Sequence, residues 1–163
     1  MDWQVKPIAR ICAASGKELH AGDIVTCIVF KPVGGEIERV DVLREHTGSY
    51  APQGLLLGRW TREVKERGEE EQAQRAQLLA SREEFFLSLY DSEEDPSGDK
   101  AVLKHILAML LERKRVIRPA GPADNGLTPY QHAATKQIYL VPVLDLQPSH
   151  LVKVGATLDL LVG

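Results

Sequence analysis

The stretch Ile24-Val25-Thr26-Cys27-Ile28-Val29-Phe30 decides the fold class. It is built from β-branched and aromatic residues, the types that pack well on a pleated surface, and Pro32-Val33-Gly34-Gly35 then breaks it. Residues 36–42 alternate well enough to be the returning strand, so the two form a hairpin. Upstream, residues 7–14 supply a third strand, because Ile8, Ile11 and Cys12 are apolar and Ser15-Gly16 and Gly22-Asp23 mark turns. Simple pairing about the intervening loop sets Cys12 opposite Cys27 as one possible register.

Outward from this sheet the pattern changes. Residues 61–77 are mostly Glu, Arg, Lys, Gln and Ala, good helix formers without a wide apolar stripe, and read as a solvated helix or linker. Ser81-Arg82-Glu83-Glu84 has capping-box spacing and predicts the start of a helix carrying Phe85, Phe86, Leu89 and Tyr90. A second helix starts near Ser97 or Asp99 and closes at Arg113-Lys114-Arg115, with charges that suit the two ends of its dipole. Its apolar residues, from Val102 through Ile106 to Leu111, cover nearly the whole circumference, so it is expected to be the core.

Val116-Ile117-Arg118 and residues 137–143 then read as the strands of a small hairpin. The Pro- and Gly-rich residues 119–136 connect them as a long loop, either mobile or functional. Pro148 opens a final helix on which Leu151, Val154, Leu158 and Leu161 share a face. The expected fold is α+β: an N-terminal antiparallel β-sheet of degenerate zinc-ribbon type, then a helical core with a small β-hairpin and a C-terminal helix. The modules are residues 1–58, a charged connector at 59–80, and residues 81–163.

Composition limits the function. Twenty basic against 23 acidic residues, a net charge of −3 over 163 residues, argues against holding nucleic acid or an anionic membrane by overall charge. No stretch reaches the roughly 20 apolar residues of a bilayer span, and Met1 to Pro7 does not read as an export signal. Two cysteines suit a reducing compartment, so a cytoplasmic protein is expected.

The string Cys12-Ala13-Ala14-Ser15-Gly16 looks like a zinc knuckle in which Ser15 replaces one thiolate. If a metal were bound, Cys12 and His46 would be its ligands, with Cys27 as an outside candidate. The set is too incomplete for a tetrahedral ion, and the expectation is a metal-free turn with no cofactor. Cys12, Ser15, Gly16, Leu19, Gly22 and Asp23, followed by Arg39-x-Asp41, resemble a group of bacterial proteins of unknown activity, from planctomycetes, verrucomicrobia and their relatives, with the pattern Cys-x-x-(Cys or Ser)-Gly. The resemblance implies a fold and brings no activity with it.

Catalytic signals are thin. His20 or His46 could serve as a base to Cys12 only if the loops fold back. Glu93-Glu94-Asp95 reads as a solvated turn, His105 as a satisfied boundary histidine, and His132 and His150 have no companions at ligand spacing. Gly34-Gly35 lacks the helix and lysine of a phosphate loop. The reading is therefore a non-catalytic intracellular interaction or adaptor protein whose partner is another protein. A nucleic-acid-binding regulator, with a winged-helix-like second half and Arg113, Lys114, Arg115 and Arg118 beside its wing, is the alternative. A thiol- or metal-dependent enzyme comes third.

Overall fold

The computed structural model describes residues 10–64, 71–91, 98–145 and 147, with the backbone alone at 71–74. The fold is α+β. Strands β1 (Ile24–Lys31), β2 (Glu38–Leu43) and β3 (Leu55–Glu63) form one antiparallel sheet in the order β2-β1-β3. Helices α1 (Glu71–Ser88) and α2 (Asp99–Arg113) follow, and β4 (Ile117–Pro119), β5 (Leu127–His132) and β6 (Ile138–Pro142) form a second antiparallel sheet in chain order. A short 3-10 helix, Arg44–Ser49, links β2 to β3.

The predicted hairpin is β1 with β2, and Val25, Cys27 and Val29 are fully buried on it. The third strand of that sheet is β3, where residues 7–14 were expected. Within the described part of that stretch, Ile11 makes only an isolated bridge to Glu18. The strand β3 runs without a break across residues 58 and 59, the limit set from the sequence for the first module. Gly58 is needed there: a methyl group on it would lie 2.5 Å from the Phe85 ring.

The capping box at Ser81 is not a helix start. Helix α1 already begins at Glu71, and Ser81 is buried within it. Glu84 is drawn to β3 instead. Its Oε2 accepts the Thr61 N–H at 2.9 Å, Ser88 Oγ accepts the Arg59 N–H at 2.8 Å, and Gln77 Nε2 donates to the Glu63 carbonyl at 2.6 Å. Spacing explains the match: four residues of helix rise about 6 Å and two residues of strand span about 6.8 Å. Side chains of α1 thus take the place of a fourth strand along β3.

Helix α2 matches the central helix read from the sequence, and it packs on α1, β4 and β6. Leu103, Leu107 and Leu111 are fully buried, while Lys104, His105, Met109 and Leu110 are half-buried. Lys31 at the end of β1 reaches the buried Asp99 at 2.8 Å and ties the first sheet to the start of α2.

The second sheet corrects the expected hairpin, because β5 lies between β4 and β6 inside the supposed loop. Asn125-Gly126, both at positive φ, turn the chain so that Asp124 and Leu127 exchange hydrogen bonds, and β5 starts there. Proline is normally excluded from central strands because it cannot donate. Pro129 is accommodated because its carbonyl accepts from Ala120, just beyond the end of β4, where no donor is required in return. Edge β6 is closed like β3: the Leu140 carbonyl accepts the Tyr90 hydroxyl at 2.8 Å, and the Pro142 carbonyl lies 3.2 Å from His105 Nδ1. The predicted C-terminal helix from Pro148 falls outside the described residues, as do Ser97 and residues 93–95. Among the described residues, no helix is long and apolar enough to cross a membrane.

Candidate functional site

The Cys12 turn is closed by its own backbone. Cys12 N–H donates to Lys17 O and Gly16 N–H to Cys12 O, both at 2.8 Å, with Gly16 at φ 76°. Ala13 N–H donates to Asp41 O at 3.0 Å and fixes the turn on β2. Cys12 Sγ accepts the N–H groups of Ser15 (3.4 Å) and Leu43 (3.3 Å). Burial acts to raise the thiol pKa. Hydrogen bonds from the Ser15 side chain and from the backbone of Leu43, Ser15 and Ala14 outweigh it and hold the thiol below its ordinary value. Backbone donors aimed at a sulfur stabilise a thiolate, which is the form that reacts or binds metal.

The three metal candidates do not converge. Cys27 stands opposite Asp41 and Trp60 in the sheet and not opposite Cys12. His46 lies half-exposed on the 3-10 helix, 3.9 Å from Glu45. Among the described residues, no three His, Cys, Asp or Glu side chains gather as a metal site. Both cysteines are free and buried.

Arg39 and Asp41 are the centre of a buried cluster. Residues two apart on a strand share a face, so Arg39 places Nε 2.9 Å from Asp41 Oδ1 and a terminal nitrogen 3.1 Å from Oδ2. The same nitrogen lies 3.4 Å from Cys27 Sγ, and the guanidinium carbon sits 5.1 Å from the centre of the Trp60 ring. Arg62 approaches Asp41 at 3.7 Å. Burial, only partly offset by Arg39, pushes the Cys27 thiol up to about 12, so it stays protonated at neutral pH. This cluster holds β1, β2 and β3 together.

His132 is used in the same way. Its Nε2 lies 2.6 Å from Glu83 Oε1, and its Nδ1 accepts the N–H groups of Ala134 and Thr135. Nε2 therefore serves the α1–β5 contact, and Nδ1 the turn that follows β5. The exposed His20 contributes a backbone N–H to Asp23, and His150 lies outside the described residues. A shallow cleft of about 320 Å³ between β3 and α1 is lined by Thr26, Thr47, Arg59, Thr61, Glu84 and Asp91 among others. Several of its polar groups are already engaged, with Thr47 bonded to Thr26 and Glu84 to Thr61.

The second sheet presents the other kind of surface. Cross-strand partners share a face, which sets Arg118, Gln131 and Ile138 in one row and Pro129 and Leu140 in the next. The opposite face carries Ile117, His132, Tyr139 and Val141 inward. On the outward face Ile138 and Leu140 remain 51% and 50% exposed. Arg113, Lys114, Arg115 and Arg118 are exposed between α2 and this sheet. The sequence reading noted the basic run but missed the apolar pair; the period-two spacing of Ile138 and Leu140 was its signal.

No family model, curated protein or solved structure matches the chain.

Proposed function

We propose that the chain is a non-catalytic intracellular interaction or adaptor protein whose partner is another protein. The observation that carries this reading is the exposed apolar pair Ile138 and Leu140 on a sheet face. Side-chain area of this kind is stabilised by being covered. The groups with catalytic potential support it from the other side: His132, Asp41, Arg39 and Cys27 are bonded into the frame. The similarity of the Cys12 turn and of Arg39-x-Asp41 to the planctomycete-type bacterial group belongs to the same proposal and adds no activity to it.

The test is affinity capture of the tagged full chain from source cells, with quantification of what co-purifies. A protein retained in stoichiometric amount supports the reading. Tight, steeply salt-dependent binding to heparin, DNA or RNA would replace it with the nucleic-acid regulator, the reading that exposed Arg113, Lys114, Arg115 and Arg118 favour. Stoichiometric zinc released by substituting Cys12, or alkylation of Cys12 faster than that of a free thiol, would replace it with the metal or thiol enzyme.

A further inference from the structure

Backbone geometry narrows what the second sheet binds. Arg115 (φ 61°) and Lys136 (φ 64°) both occupy the left-handed region, where glycine is free of strain and a side chain is not. Both lie at one end of the sheet. Val116, next to Arg115, accepts through its carbonyl the N–H of Ala133, at the start of the turn that contains Lys136. Gln131 Nε2 donates to the Lys136 carbonyl at 3.3 Å, and Arg118 stands in the same row as Gln131 and Ile138. Three exposed cations thus stand at the end of the sheet where the row of Ile138 lies, two of them held at positions that disfavour any side chain. Glu112, the acid on the adjoining stretch, is engaged by Tyr130.

We infer that this face receives a polypeptide segment of the partner in which carboxylates alternate with apolar side chains. The apolar groups cover Ile138 and Leu140, and the carboxylates meet Arg115, Arg118 and Lys136. The inference rests on reading the chain as an interaction protein. Complementary charge sets orientation and encounter rate while the apolar contact supplies affinity. Nucleic acid fits this face less well, because single strands need outward aromatic platforms. Tyr130 and Tyr139 stand opposite each other on the inward face, where Tyr139 packs on Phe86 and Tyr90.

Fluorescence anisotropy at low salt on the full chain tests it, using a short peptide alternating Glu and Leu, its Lys-for-Glu counterpart, and a single-stranded oligonucleotide. The acidic peptide should bind at least roughly tenfold tighter than the basic one. The double variant R115G/K136G should weaken it roughly three- to tenfold with an unchanged or higher Tm, since glycine suits both positions. L140D should weaken it further while keeping the circular dichroism spectrum. Equal binding of the two peptides, unchanged binding by R115G/K136G, or tighter binding of the oligonucleotide overturns the inference. A captured protein that L140D still retains overturns this face and leaves the interaction reading standing. A wild-type chain that captures no protein removes that reading, and the peptide comparison still decides the face.

Discussion

Arg39 grips both carboxylate oxygens of Asp41, two residues along the same strand, at 2.9 and 3.1 Å, with both side chains almost wholly buried. Removing one partner strands the other charge in a medium that solvates it poorly. Asp41→Ala should cost about 3–5 kcal/mol, whereas R39M/D41L should cost far less. Guanidinium unfolding curves of both variants measure this, and a loss under about 1 kcal/mol in D41A contradicts the described burial.

Gly58 and Phe85 fit without space to spare. A Cβ at 58 would stand 2.5 and 2.6 Å from Phe85 ring carbons and 2.8 Å from Ser88 Oγ, so Gly58→Ala should lose about 1–3 kcal/mol. Adding Phe85→Leu should recover part of that loss in the same thermal melt. Full tolerance of the G58A substitution by an otherwise native chain would show that α1 does not press on β3 here.

Arg115 occupies the C′ position of a Schellman motif: Val116 N–H bonds Leu111 O, and Arg115 N–H bonds Glu112 O. Glycine is the preferred residue there. Arg115→Gly should stabilise the fold by about 0.5–1 kcal/mol, read as a raised denaturation midpoint with unchanged slope. A destabilised R115G variant would mean that the arginine side chain contributes packing that outweighs its backbone strain.

Alkaline stability follows from Cys27. Its folded pKa, about 12, lies above the ordinary thiol value of 9.0 that holds in the unfolded chain, so the native state holds the proton longer. Its contribution is complete below pH ~9 and is lost as pH rises toward about 12, by up to about 4 kcal/mol. The raised pKa values of Tyr90, Tyr50 and Tyr130, each due first to burial, act in the same direction. Tm should fall steeply above pH ~9, and Cys27→Ala should flatten that fall. An identical slope in the variant would show that Cys27 is not the group responsible.

Thiol chemistry should separate the two cysteines. With iodoacetamide at mildly alkaline pH, Cys12 should react first, at a rate set by opening of its turn, because its thiolate is stabilised and that of Cys27 is not. Mass mapping of the singly modified chain gives the order. Label on Cys27 before unfolding would contradict it.

What the sequence revealed followed the strength of its periodic signals. The β1–β2 hairpin and α2 were legible because Val25 to Phe30 and Val102 to Leu111 are buried on more than one side and admit few alternatives. Strand β3 was not, since Leu55-Leu56-Leu57-Gly58 shows no alternation and its partner strand lies distant in sequence. Strand β5 was hidden by Pro129, whose missing donor is harmless only because β4 stops at Pro119. Ser81 and Glu84 carried a genuine capping pattern, overridden because α1 continues past it and Glu84 finds β3. At the candidate site the exposed basic residues were visible, but the apolar pair became meaningful only once register set Ile138 and Leu140 on the outward face.

Helix α1 meets the edge of β3 with the side chains of Gln77, Glu84 and Ser88. Peeling the helix away would uncover a strand whose ladder has an open side and can template pairing with another chain. Gln77, Glu84 and Ser88 thus guard this edge against pairing with another chain, and their joint removal should shorten the lag of self-assembly before it greatly lowers the melting point.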